Sequence, residues 1–297
     1  MSNKLKATWW YEPNFGDALN PYLLGKLSGR RVEYCPQHRP FFKEEFNRFL
    51  SNPFIFDWQR MKWPETKQPV VMAIGSMLEH SRPNYLIWGT GFLRESGVFG
   101  GGKVLAVRGK YSAAKLVEQG FPNCEVYGDP ALLMPLVYPV KRVDNEKVTR
   151  IGIIPHYLDY QTMRNKYLQY EVIDMNTYDV ECVINRVISC DYIFSSSLHG
   201  VIIAHAYGIP ALWVKGPGTG KETIKFKDYF SSVEIPYYDG CFDLDDIIKN
   251  RLYDSDELRK FMLPDSNTLI KIQKDLLSVA PFQLKIKGAE ARLRKRI

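Results

Sequence analysis

The chain has 297 residues, 45% hydrophobic and 25% charged, which excludes a disordered or fibrous polypeptide and fits a globular protein. That length exceeds what one hydrophobic core usually holds, so two domains are expected. The net charge of +7 gathers in the C-terminal tail, and without a basic stripe through the body nucleic-acid binding is not expected.

The first element in chain order is a strand over Ala7–Tyr11, followed by a loop at Asn14-Phe15-Gly16 and a helix. Asp17 stands where an N-cap belongs, Pro21 falls in the first turn or just after it, and Gly29 closes the helix. Residues 38–69 are aromatic, basic and irregular, with no pattern that assigns them. Short apolar strands then follow at 70–76, 85–91 and 103–109, with a helix over YSAAKLVEQG. The charged stretch YPVKRVDNEKVTR (138–150) reads as a linker. Beyond it the alternation restarts with IGIIPHY (151–157), a helix near 176–189, the strand DYIF, a helix from Leu198 and the strand IPALWV. Strands alternating with helices predict an α/β chain with parallel sheets, built as two Rossmann-like domains that face one another. The expected division is 1–137, a linker at 138–150, 151–282 and a basic tail at 283–297.

No apolar leader opens the chain and no run of about 18 apolar residues occurs, so neither a signal peptide nor a membrane span is expected. Five cysteines at scattered spacings form no C-x-x-C pair, which predicts reduced thiols in a cytoplasmic protein and no zinc site. The tail carries Lys285, Lys287, Arg292, Arg294, Lys295 and Arg296 against Glu290 alone. Such a segment is either a solvated end or a contact with the anionic inner face of a membrane.

Ligands of parallel sheets bind at the carboxyl ends of strands, and polar residues gather there. The strand-end loops hold Asn14, Gly16 and Asp17; Gly89, Thr90 and Gly91; Arg108; Gly128 and Asp129; His156; and Ser195-Ser196-Ser197-Leu198-His199. Each alone is explained as an N-cap or a turn residue. Their shared position marks a site. Three serines exceed what one helix start needs, and the unpaired N–H groups there suit an anion, with His199 beside it as donor or proton carrier. His205, among Ile202, Ile203 and Ala206, reads as a packed residue. Arg108, at the end of KVLAVR, offers a bidentate grip on carboxylate or phosphate. The glycine-rich segment 216–230, with Lys221, Lys225 and Lys227, is a basic flap or a surface loop and not a phosphate-binding P-loop.

The segments NFGDALNPYL, GTGF, VRGKYSAAKLVEQG, YGDPALLMP, IGIIPHYLDY, SSSLHGVIIAHAYGIPALWV and KFKDYF, in this order from about Asn14 to Tyr229, resemble the polysaccharide pyruvyltransferase family. The resemblance implies a GT-B-like architecture and transfer from phosphoenolpyruvate, with no separate cofactor or metal, onto two hydroxyls of a hexose, commonly galactose. The acceptor it implies is a polysaccharide or an undecaprenyl-linked glycan. The family's histidine carries over to His199, and the chemistry of such a transfer makes it the expected general acid, with a pKa near working pH, and Asp17 the expected base or hydroxyl-orienting group from the opposite domain. Donor contacts are expected from Arg108, Ser195, Ser197, Leu198, Lys225 and His156, and acceptor contacts from Asn14, Gly16 and Thr90. One departure stands out: many members carry an arginine two residues before the histidine, where this chain has Ser197.

Two rival readings remain at this level. A nucleotide-sugar glycosyltransferase of the same architecture would place a carboxylate in the helix before a Gly-x-Pro turn, and none occurs between Leu198 and Pro210. A non-catalytic protein that binds anionic glycans would keep the fold and tolerate the missing arginine.

Overall fold

The computed structural model describes residues 4–37, 67–140, 149–217 and 224–285, and in them short apolar segments form two parallel sheets. The first sheet comprises β1 (Lys4–Thr8), β2 (Arg31–Tyr34), β3 (Val70–Met72), β4 (Tyr85–Trp88) and β5 (Lys103–Ala106), in the order β2-β1-β3-β4-β5. The second comprises β6 (Ile151–Ile154), β7 (Glu171–Val172), β8 (Tyr192–Ser195) and β9 (Ala211–Trp213), in the order β7-β6-β8-β9. The same winding thus occurs twice, with the direction of travel reversing between β1 and β3 and again between β6 and β8. The central strands VVM and IGII, and ALW at one edge, are buried throughout, as parallel strands covered on both faces must be.

Helices follow the strands: α1 (Phe15–Ser28), α2 (Lys110–Glu118), α3 (Met134–Val137), α4 (Tyr160–Lys166), α5 (Val180–Ile188), α6 (Leu198–Ala206), α7 (Ile224–Ser232), α8 (Leu244–Lys249), α9 (Asp256–Met262) and α10 (Ser266–Ser278). None of the described helices is long and apolar enough to cross a membrane.

Two expectations change. β1 begins at Lys4, because Leu5 and Ala7 alternate inward while Lys4 and Lys6 do not, and the aromatic Trp9 and Trp10 follow in a loop. Asn14 and not Asp17 is the N-cap, so α1 starts earlier than expected and Pro21 lies in its interior, well past the first turn. The last helix, α10, leaves the second sheet and packs on the first. There Trp88 Nε1 donates to the Leu276 carbonyl at 2.9 Å and Gln273 Nε2 to the Leu132 carbonyl at 2.7 Å. One continuous hydrophobic core runs through both sheets, from Leu5 and Trp88 to Ile153 and Phe194. Most of the region 38–69, the centre of the expected linker, Lys221 and the tail beyond Lys285 lie outside the described residues.

Candidate active site

A cavity of about 470 Å³ opens where loops from the carboxyl ends of both sheets converge, within the range of small-molecule sites. Trp10 and Asn14 reach it from the loop after β1, Asp17 from the first turn of α1, and Gly75, Ser76 and Met77 from the loop after β3. The second sheet supplies His156 and Tyr157 after β6 and Ser197, Leu198 and His199 after β8; Lys225 enters from α7. The structure therefore brings together Asn14, Asp17, His156, Ser197, Leu198, His199 and Lys225, all expected from the sequence.

The segment NFGDALNP builds one wall. Asn14 caps α1, its Oδ1 accepting the Asp17 N–H at 3.4 Å. Gly16 is buried against the ring of His199, and a Cβ built there would overlap the imidazole. Gly16 is thus not a ligand contact but the gap that admits the ring. Asn20 is buried and clamps the strand-end loop, with Nδ2 donating to the Ile74 carbonyl at 3.0 Å and Oδ1 accepting from Ile74 N–H at 2.9 Å. Pro21 has no N–H to give the Asp17 carbonyl one turn back, and Asn20 Nδ2 supplies that bond at 3.3 Å. The kink cost of an interior proline is offset locally.

The serine run divides its work. Ser195 is fully buried, its Oγ accepting the Ser197 N–H at 3.0 Å and donating to the Ser197 carbonyl at 2.8 Å or the Ile154 carbonyl at 3.0 Å. It shapes the turn and does not reach the cavity. Ser196 Oγ accepts the His156 N–H at 2.7 Å, fixing the neighbouring loop. Ser197 occupies the N-cap position of α6 but makes no side-chain cap bond, and it lines the cavity. α6 is apolar on all sides and every residue in it except His199 is buried. His199 keeps 16% side-chain exposure, while its Nε2 is buried 4.0 Å from Asp129 Oδ2.

Arg108 and Thr90 stand behind the wall. The Arg108 guanidinium is fully buried: Nε donates to Asp228 Oδ2 at 3.1 Å, Nη1 to Ser76 Oγ at 2.5 Å, and Nη2 to the Phe92 carbonyl at 2.9 Å. With its donors engaged, it holds Ser76 in place and offers a ligand its field. Thr90 Oγ1 donates to the Gly75 carbonyl at 2.8 Å and accepts the Met77 N–H at 3.2 Å, so it shapes the same loop from a buried position. Sequence reasoning passed over Ser76, Asp228 and the pairing of Asp129 with His199. Asp228 had one signal, an acid inside the apolar face of KFKDYF.

Electrostatics separate these groups. Burial pushes the Asp17 carboxyl up to about 7 against the lowering effect of the Trp10 N–H, which it accepts at 2.9 Å. Burial also pushes Asp129 up to about 7; the Ala131 N–H and Arg108 pull it down, and Asp228 adds to the rise. His199 goes the other way, down to about 3, through burial first and then the charges of Arg108 and Lys225. The expectation of a histidine titrating near neutrality is corrected: carboxyls hold that position here. His205 is likewise lowered to about 4 by burial. Its Nε2 faces the carbonyls of Met262 (3.0 Å) and Ala211 (3.3 Å), so Nε2 carries the proton and Nδ1 accepts from Tyr229 O–H at 3.0 Å. It is a packed residue, as the sequence suggested.

The sequence pattern of the polysaccharide pyruvyl transferase family matches residues 14–215, more than half of the chain. An uncharacterized protein of Acanthamoeba polyphaga mimivirus is 34% identical over 203 residues, 63% of this chain and 69% of that protein. No solved structure matches.

Proposed function

We propose, from the premise that the chain belongs to the polysaccharide pyruvyl transferase family, that it moves the pyruvyl group of phosphoenolpyruvate onto two hydroxyls of a hexose, galactose being the expected one. The product is a cyclic ketal on a glycan, with release of phosphate. The carrying observation is that one cavity holds both a lysine beside an open helix start and a carboxyl poised near neutrality. Lys225, His156 and the start of α6, with the Ser197 hydroxyl where relatives carry arginine, form the wall for the donor's carboxylate and phosphate. Arg108 adds positive field from behind.

The chemistry runs in three steps. The methylene carbon of the donor takes a proton, its π electrons forming the C–H bond and leaving an oxocarbenium-like centre. A sugar hydroxyl attacks that centre and loses its proton to a base. A second hydroxyl then attacks the same carbon, phosphate departs with the C–O electron pair and takes that hydroxyl's proton, and the ring closes. His199 delivers the first proton. Asp17, half ionised at neutral pH, takes the hydroxyl proton; a base with a midpoint near the working pH is the most effective one. Trp10 and Tyr157 are 49% and 39% exposed at the cavity, their rings 6.3 Å apart, and present flat apolar faces of the kind a pyranose ring covers. We place the GT-B-like two-domain organisation, the lipid-linked acceptor and the tail's membrane contact within the same reading.

Incubation with phosphoenolpyruvate and a panel of galactosides and other hexosides tests it. Phosphate release with a matching mass gain on the sugar is the expected result. Release of nucleoside diphosphate from a nucleotide sugar instead would move the reading to a glycosyltransferase. Binding without consumption of either donor would move it to a glycan-binding protein.

A further inference from the structure

Two buried polar atoms have no hydrogen-bond partner among the described residues, apart from Thr8 and Tyr85 elsewhere: Nε2 of His199, which lines the cavity, and Oδ2 of Asp129, buried behind it. They face each other at 4.0 Å, about one ångström beyond a hydrogen bond. Native proteins seldom leave such atoms unpaired, and a pair of them facing one another at a site calls for an explanation. Asp129 is held in place independently, because its Oδ1 caps the turn at Pro130–Leu133 by accepting the Ala131 N–H at 2.9 Å. The ring is held by Gly16 on its other side, where Nδ1 lies against the turn that carries Asn14 and Asp17 into the cavity. A small tilt of the imidazole closes the gap, as catalytic contacts tighten when substrate binds.

We propose that Asp129 is a positioning residue that supplies the proton His199 delivers: its Oδ2–H passes a proton to Nε2 as Nδ1–H passes one to the donor's methylene carbon. This rests on the pyruvyl-transfer reading above. The donor's π electrons form the new C–H bond and the electrons of the Nδ1–H bond stay on nitrogen. The ring changes tautomer, and the Asp129 O–H electrons remain on a carboxylate that now accepts from Nε2–H. Nε2–H returns its proton to Asp129 as Nδ1 takes one from solvent, to which Asp17 releases the hydroxyl proton, so the ring recovers its first tautomer and the cycle closes. The imidazole never becomes a cation. That suits a ring whose protonated form is opposed by burial, by Arg108 beyond β5 and by Lys225 of α7, beside a carboxyl whose acid form burial favours. From α7, Asp228 favours that acid form as well, and Tyr229 stands near it; Asp17 from α1 and His156 and Tyr157 from the loop after β6 line the cavity beside His199.

Nitrogen NMR of the histidine-labelled full chain, without ligand, tests the pair. One ring, identified by its absence in His199→Gln, should pass from the Nδ1–H to the Nε2–H tautomer as pH rises through about 7, and should keep a single tautomer in Asp129→Asn. A His199 ring that shows no switch in the wild-type chain, or the same switch in Asp129→Asn, overturns the proposal. In turnover, Asp129→Asn should lower kcat about 100-fold or more while the Kd for phosphoenolpyruvate stays within about threefold, and should remove the fall in rate above neutral pH. An unchanged kcat, or an alkaline limb that survives the substitution, also overturns it. A tautomer switch in a protein that releases no phosphate keeps the pair and removes the pyruvyl-transfer reading alone. Turnover without a switch removes the pair alone.

Discussion

At the scale of single residues, the missing side chain of Gly16 decides where His199 sits. Gly16→Ala should push the imidazole out of its seat and lower kcat by about two orders of magnitude, in a protein that still folds, measured beside its circular dichroism. Asp17 illustrates the cost of a poised carboxyl. Its folded pKa of about 7 exceeds the ordinary 3.8, so between those values the folded state holds the proton more tightly than the unfolded chain. That contribution favours folding in acid and is lost as pH rises through about 7. His199 and His205, lowered to about 3 and about 4, act oppositely: the unfolded chain binds their protons more readily, and this penalty is relieved as pH rises towards 6.5. Asp17→Asn should therefore abolish turnover yet stabilise the protein by about 1–2 kcal/mol at pH 8, discounted for the group's contact with the cavity, and by less at pH 5. Thermal melts at both pH values check it. A gain that does not grow with pH would contradict the assignment. Asp17 was legible as a polar residue at a strand end, although the sequence read it as the cap that Asn14 proves to be. Asp129 was not, since an aspartate before proline reads fully as a cap, and only three-dimensional proximity shows its second oxygen facing His199.

At the scale of elements, α1 and α6 position the chemistry. α6 is buried all round, so its first turn is its one opening, and that turn presents Ser197 and His199. In α1, Asn20 serves two backbones at once. Asn20→Leu leaves the Asp17 carbonyl and both Ile74 groups unpaired, and should cost about 2–4 kcal/mol in chemical denaturation together with a raised KM, because Ile74 leads into the cavity loop. Trp10→Ala should raise the acceptor KM about tenfold and leave the donor KM unchanged, with Trp10→Tyr recovering most of the loss. The central strands were visible as apolar runs between turn signals. β2 (RVEY) and β7 (EV) were not, because they are short, charged and sit at sheet edges where period and hydrophobicity give no signal. β1 was misplaced by its aromatic neighbours, which are apolar without being strand: Trp9 packs in the core beside Tyr34 and Trp10 lines the cavity.

At the scale of the whole molecule, the two sheets are tied behind the cavity. Arg108 follows β5 and meets Asp228 of α7, which also accepts the Ser112 N–H at 2.8 Å and the Ser112 hydroxyl at 2.7 Å. Arg108→Met strands a buried carboxylate and should cost about 3–5 kcal/mol, and Arg108→Met with Asp228→Asn together should cost less than Arg108→Met alone. Denaturant midpoints of the three variants decide it. The sequence-level reading of two alternating α/β halves follows from local periodicity, but the return of α10 to the first sheet rests on contacts such as Trp88 with Leu276, nearly two hundred residues apart, which no window along the chain contains. The most direct test of the whole account is to run the reaction in deuterium oxide with phosphoenolpyruvate and an accepted galactoside and weigh the product. The account predicts a ketal whose methyl group carries a single solvent deuterium, formed by the wild-type chain and not by His199→Gln. A ketal free of solvent deuterium, or equal product from His199→Gln, would contradict it.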